Sequence, residues 1–198
     1  MPKLIRNTVK VALVLLVLGS GAYVVIQVSQ HGFSARDKPS RLEKYLARHA
    51  RKIATPTGAK QSKSPYPVTP ESMAAARAHF VEHCSSCHGL DGRGDTTIGR
   101  NLYPKVPDMT DAETQQLSDG ELYYIISNGV RFTGMPAWGS EDSPKSIWEL
   151  VAFVRRLPQL SPEDLRTMRE LAGGTSSEEK AEVKKPHSHS SGAGSHRD

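Results

Sequence analysis

Residues 83–94 read HCSSCHGLDGRG and contain both cysteines of the 198-residue chain, Cys84 and Cys87, with His88 directly after the second. Four chemistries use this pentad or part of it. A thioredoxin-like redox pair sits at the start of a helix that follows a strand, and nothing strand-like precedes Cys84. A structural zinc site would join Cys84, Cys87 and His88 to His79 or His83, but such sites commonly take four ligands from two separated pairs. A disulfide, or two thiols filling space, leaves the adjacent histidine unexplained. Covalent haem attachment uses all three residues. Cysteines one helical turn apart present both sulfurs on one side of the chain, where each adds to a vinyl group at one porphyrin edge. His88 is then carried over the ring to ligate the iron.

An iron held from one face needs a second ligand, soft or nitrogenous, on a loop further along. Residues 131–139, RFTGMPAWG, display Met135 between Gly134 and Pro136. Glycine permits close backbone approach and proline fixes the turn. Met73 and Met168 fall on predicted helices. Met109 falls on a loop and is the rival to Met135.

The rest of the chain frames this site. Residues 11–28, VALVLLVLGSGAYVVIQV, carry no charge and are long enough to cross a bilayer as a helix. Lys3, Arg6 and Lys10 precede them, which places that end in the cytoplasm and the remainder on the exported, periplasm-like side. The basic residues from Arg36 onward oppose that rule in part. Ser20-Gly21-Ala22 resembles a signal-peptide cleavage site, but the apolar run continues through Tyr23-Val24-Val25-Ile26, so residues 1–28 are read as a retained signal anchor.

The net charge of +5 is unevenly spread. Residues 31–63 are strongly basic and residues 66–160 lean acidic, so the balance describes a basic segment joined to an acidic one and not a nucleic-acid-binding domain. Within a connector at 29–68, SRLEKYLARHARKIA opens with a capping box, Ser40 to Glu43. It sets Leu42, Tyr45, Leu46, His49 and Ile53 on one helical face. Two readings of this amphipathic helix stay open: a solvated linker helix, or a helix lying on anionic lipid headgroups. The stretch TPTGAKQSKSPYPVTP then breaks structure.

From there the signals are helical, and a haem domain is expected over 69–174, with its core at about 72–157. Thr69-Pro70 opens the first helix, Ser118 with Glu121 the second, Ser143-Pro144 the third, and Ser161-Pro162 the fourth, which should stop at Gly173-Gly174. The tail 175–198 has the composition of a disordered segment. His187, His189 and His196 lie in it.

These motifs, in order, resemble a class I c-type cytochrome, similar to the small monohaem domains of cbb3-type oxidase subunits. The matching features are Phe80 ahead of CSSCHG, the loop LDGRG, VPDM, the helix LSDGELYYIISNG, GMPAW and the helix WELVAFVRRL. The resemblance implies an all-α fold of about four helices around one covalently attached haem c, beside the N-terminal transmembrane helix. It further implies that the first and last helices cross with Phe80 and Phe153 packed there and Ala76 permitting the approach. It places the carbonyl of Pro107, or alternatively Pro104, as acceptor of the His88 imidazole N–H, and Met109 as a core residue. Trp138 and Trp148 are read as pocket wall or core. Arg93, Arg100 and Arg131 are candidates for haem propionates, or plain solvated arginines.

The cofactor set is therefore Cys84 and Cys87 as thioethers, His88 and Met135 as axial ligands, and Phe80, Pro107, Trp138 and Phe153 as surroundings. Iron ligated on both faces leaves no open position for substrate. The main expectation is a membrane-tethered electron carrier, not an enzyme, working between unidentified redox partners. The alternatives are a fixed haem c subunit of a larger oxidoreductase complex, or a single-haem peroxidase or gas sensor whose methionine is displaced.

Overall fold

The computed structural model describes residues 3–32 and 34–182. The histidines at 187, 189 and 196 lie outside the described residues. Contacts divide the chain into two compact units, Met1–Lys38 and Pro39–Asp198.

The first unit is helix α1, Lys3–His31, which runs unbroken through Ser20-Gly21-Ala22. Its stretch Ile5–Gln30 has 26 residues and contains an 18-residue window of mean hydropathy 2.3. At 1.5 Å per residue that is about 39 Å, more than the roughly 30 Å hydrocarbon core of a bilayer. The hydroxyls of Ser20 and Ser29 donate to the carbonyls of Val17 and Ile26, 2.9 Å each, so neither meets lipid unsatisfied. α1 is a membrane-anchoring helix by length and composition.

The second unit is all-helical among the described residues. The four expected helices are α4 (Pro70–His79), α8 (Asp119–Asn128), α9 (Pro144–Arg156) and α10 (Pro162–Glu182). Between them lie short segments that the four-helix expectation did not contain: α5 (Ser85–His88), α6 (Thr97–Asn101) and α7 (Ala112–Gln115). α10 also continues past Gly173-Gly174. A glycine inside a helix costs about 1 kcal/mol relative to alanine and does not forbid it, and helix formers follow at Glu178–Ala181.

The core forms where α4 meets α9. Ala76 is 2% exposed, and Phe80 and Phe153 are 1% each, with ring centroids 5.1 Å apart. A small residue at 76 lets the backbones approach, and the two rings fill the crossing. Val81, Leu150, Val151, Val154, Leu157 and Met168 close around them. Trp148 stacks on Tyr123 of α8, centroids 4.4 Å apart. Arg155 ties the loop before α8 to α9, donating to the carbonyls of Gln115 and Leu117 and to Asp119.

The connector differs from its expected form. The capping box of Ser40 and Glu43 opens α2, Arg41–Ala54, and the supposed breaker stretch contains α3, Thr57–Gln61. Both belong to the haem unit. Lys60 offers its carbonyl to the Ser118 hydroxyl at 2.7 Å. A Cβ on Gly120 would come within 1.8 Å of the Ala59 carbonyl oxygen, so only glycine lets α8 approach α3 this closely. Arg48 pairs with Glu113 at 2.5 Å, Tyr103 donates to Glu43, and Thr55 is buried. Tertiary packing holds five residues helical that are too few to be stable alone.

Candidate haem-binding site

The pentad is delivered by an irregular helix. After α4 the chain makes one π turn, Phe80–Cys84, in which the N–H of Ser85 bonds to the carbonyl of Phe80. That extra residue shifts the phase of everything beyond it. Phe80 and Val81 are buried in the core, while Cys84 at the end of the π turn and Cys87 on the short helix that follows are half-buried. The short helix ends at Gly89, φ +75°, directly after the pentad, and the Gly89 N–H closes onto the Ser85 carbonyl. Thr96 Oγ1 donates to the Cys87 carbonyl at 3.2 Å and the Gly94 N–H to the His88 carbonyl at 2.7 Å, so the LDGRG loop braces the pentad from behind.

The two thiols are unbridged, against the disulfide reading. Among the described residues no group of three or more His, Cys, Asp and Glu side chains is arranged to hold a metal ion, against the zinc reading. The donor set suits haem c instead. Burial, with smaller contributions from the charges of Asp142 and Cys87, pushes the Cys84 thiol up to about 12. Burial pushes the His88 imidazole down to about 4. His88 is thus neutral at physiological pH, the form that ligates a metal.

His88 Nδ1 is buried without a hydrogen-bond partner. The bond to the Pro107 carbonyl, or to that of Pro104, is therefore not formed. On either side of Pro107, the Val106 N–H donates to the Gly99 carbonyl at 3.4 Å and the Met109 N–H to the Gly92 carbonyl at 2.8 Å. A buried, orphaned imidazole nitrogen beside two free thiols marks a group made to serve something other than the fold.

The loop that carries Met135 meets the helix ahead of the pentad through Trp138 and Asp142. Gly129, φ +64°, ends α8 where a Cβ would strike the carbonyls of Met135 and Pro136. The Trp138 and Gly139 N–H groups then bond to the carbonyls of Ile126 and Ser127. Trp138 lies against His83, centroids 5.4 Å apart, one residue before Cys84. His79 Nε2 meets Asp142 at 3.3 Å. Met135 is half-buried on this loop, and the Thr133 hydroxyl accepts its N–H. Met109 is 8% exposed and part of the core. Arg93 and Arg100 pair with Asp91 and Asp95 on the surface, and Arg131 is exposed.

Residues 71–154 match the family model of cytochrome c oxidase, cbb3-type, subunit III. This segment is a c-type cytochrome domain related to cbb3-oxidase subunits. The cytochrome domain is 35% identical over 79 residues to the cbb3-type cytochrome c oxidase subunit FixP of Bradyrhizobium diazoefficiens, covering 39% of this chain and 25% of that protein. It is 26% identical over 101 residues to the quinohemoprotein alcohol dehydrogenase ADH IIB of Pseudomonas putida, covering 50% of this chain and 13% of the enzyme. A chain of the Kuenenia stuttgartiensis reducing HAO-like protein complex is 26% identical over 48% of this chain and 47% of that one, with a TM-score of 0.44. The chain thus spans a quarter or less of the length of these two curated relatives. The cytochrome domain carries one pentad, Cys84-Ser85-Ser86-Cys87-His88, for one covalent haem c.

Proposed function

We propose that this protein is a membrane-anchored haem c subunit of an oxidoreductase complex of the cbb3-oxidase type, moving single electrons on the exported side of the membrane. When bound, the haem supplies a one-electron iron couple. Cys84 and Cys87 would fix it covalently, and His88, held neutral by burial, would ligate the iron from one face. Met135, a weak donor that favours the reduced metal, would ligate it from the other. Neither ligand is a proton donor or nucleophile toward a substrate, which fits an electron-transfer subunit and not a catalyst.

The choice of a fixed subunit over a roaming carrier rests on one observation. The connector is folded into the haem unit from Pro39 onward, so α1 and α2 are joined by only the nine residues 32–40. Fully extended, nine residues reach about 30 Å. Relatives named as oxidase subunits support the same choice.

The test is native electrophoresis of membranes solubilised in a mild detergent, stained for haem. The haem of this chain should migrate with a larger assembly containing further redox-active subunits. Migration as a lone 21.7-kDa chain in every mild detergent would return the function to a free carrier.

A further inference from the structure

Among the described residues, the apolar row on α2 is exposed and is packed against nothing in the core. Leu42 is 67% exposed, Tyr45 57%, Leu46 56% and Ile53 84%, and no residue of α2 is buried. They form one continuous row, because spacings of three, four and seven residues return to the same side of a helix. His49 lies within it, its ring 3.9 Å from that of Tyr45. The contacts that hold α2 to the haem unit leave from a different side, through Glu43 to Tyr103 and Arg48 to Glu113. At 100° per residue, the midpoint of those two positions lies about 150° from the centre of Leu42, Leu46 and Ile53. α2 is therefore clipped to the unit by polar side chains while its apolar row faces away.

We infer that α2 is a membrane-surface helix whose apolar row enters the headgroup region of an anionic bilayer beside the anchor; this rests on α1 being membrane-spanning. Three observations select lipid as the occupant. The tether of residues 32–40 keeps α2 within reach of the bilayer surface at the end of α1, at high effective concentration. The helix carries Arg41, Lys44, Arg48, Arg51 and Lys52 against Glu43 alone. Anionic headgroups attract that charge, and long basic side chains can lay their stems on apolar surface while their heads reach phosphate. The same charge disfavours a second copy, since two such helices face to face would place like charges together in a desolvated contact.

The consequence is orientational. Because α2 and α3 are part of the haem unit, docking of α2 turns the whole cytochrome domain to one attitude over the membrane.

The full-length protein is placed in nanodiscs containing a photoactivatable lipid, with either phosphatidylglycerol and phosphatidylcholine or phosphatidylcholine alone, and lipid adducts are mapped by mass spectrometry. Adducts on α1 report the anchor independently. With phosphatidylglycerol, adducts are expected on both α1 and residues 41–54, and the α2 adducts should fall several-fold in phosphatidylcholine alone. Leu42→Glu combined with Leu46→Glu should remove the α2 adducts while keeping those on α1. Both side chains are exposed, so haem stain and helical circular dichroism should be retained. Adducts confined to α1 in the wild type would overturn the proposal while leaving the anchor intact. Equal labelling of α2 in both lipids would overturn the anionic-surface part. Cross-linked dimers through α2 in place of lipid adducts would assign the row to a second copy and overturn it too. No adduct on α1 would instead refute the membrane-spanning reading.

Discussion

At the scale of single residues, the site is written in short motifs because its chemistry is local. The spacing of Cys84, Cys87 and His88 names the cofactor without any knowledge of the fold. The proposal of Met135 over Met109 as the second ligand draws on more, since both lie in loops. Burial supports that proposal: Met109 sits in the core, its N–H on the Gly92 carbonyl, and Met135 sits half-buried on the loop whose Trp138 lies against His83. The two alanine substitutions should therefore fail differently. Met109→Ala should cost about 2–5 kcal/mol of stability, as truncation of a buried methionine does, and leave the iron–sulfur absorption of the oxidised protein in place. Met135→Ala should leave the melting temperature of the haem-free chain nearly unchanged. It should abolish that absorption and lower the reduction potential, because a weak donor favouring reduced iron is lost. Optical spectra, redox titration and thermal melts of both variants check this, and the reverse pattern would move the ligand to Met109. The environment of His88 was not legible. A carbonyl acceptor is a matter of backbone path through residues 104–109, which no side chain announces.

At the scale of elements, helix starts were readable because a cap is a local hydrogen bond. Ser40, Thr69, Ser118 and Ser143 each accept the N–H three residues on, as their sequences imply, and Asp164 likewise donates to Ser161. What sequence did not disclose are the elements held by neighbours. The π turn at Phe80–Cys84 joins the buried Phe80 to the half-buried start of the pentad, and no residue preference marks it. α3 is five residues with an exposed glycine, and it exists because α8 receives it. Gly120 is the residue that permits this contact. Gly120→Ala would normally favour a helix, yet here its Cβ would meet the Ala59 carbonyl. Displacing that backbone should cost about 1–3 kcal/mol, as overpacking does. It should also open residues 56–63 to proteases, seen as a lower melting temperature and a new cleavage in limited digestion. If Gly120→Ala instead stabilises the protein, α3 is not docked on α8.

At the scale of the whole molecule, the sequence separated an apolar anchor, a basic connector and an acidic-leaning haem domain, and the structure moves one of those boundaries. A composition rich in Pro, Gly, Ser and Lys reads as a leash of about 40 residues. Yet opposite charge on the two segments lets them meet, as Arg48 and Glu113 do, and the burial of Thr55 with the α3–α8 contact holds them. Exposed pairs such as Arg48–Glu113 contribute little alone, so packing carries the attachment. This changes where the haem domain can be cut. A chain beginning at Ser64 would strip α2 and α3 away and uncover the face around Ser118 and Gly120. A chain beginning at Pro39 would keep the unit whole. Both should attach haem, since the pentad, its bracing loop and the methionine loop lie beyond either cut. The Pro39 chain should melt close to the full-length protein, whereas the Ser64 chain should melt several degrees lower and be digested faster around α8. Thermal melts of the three proteins at one pH and salt concentration decide the matter. Equal melting of the Ser64 and Pro39 chains would mean that the connector contributes nothing to the fold and is a leash after all.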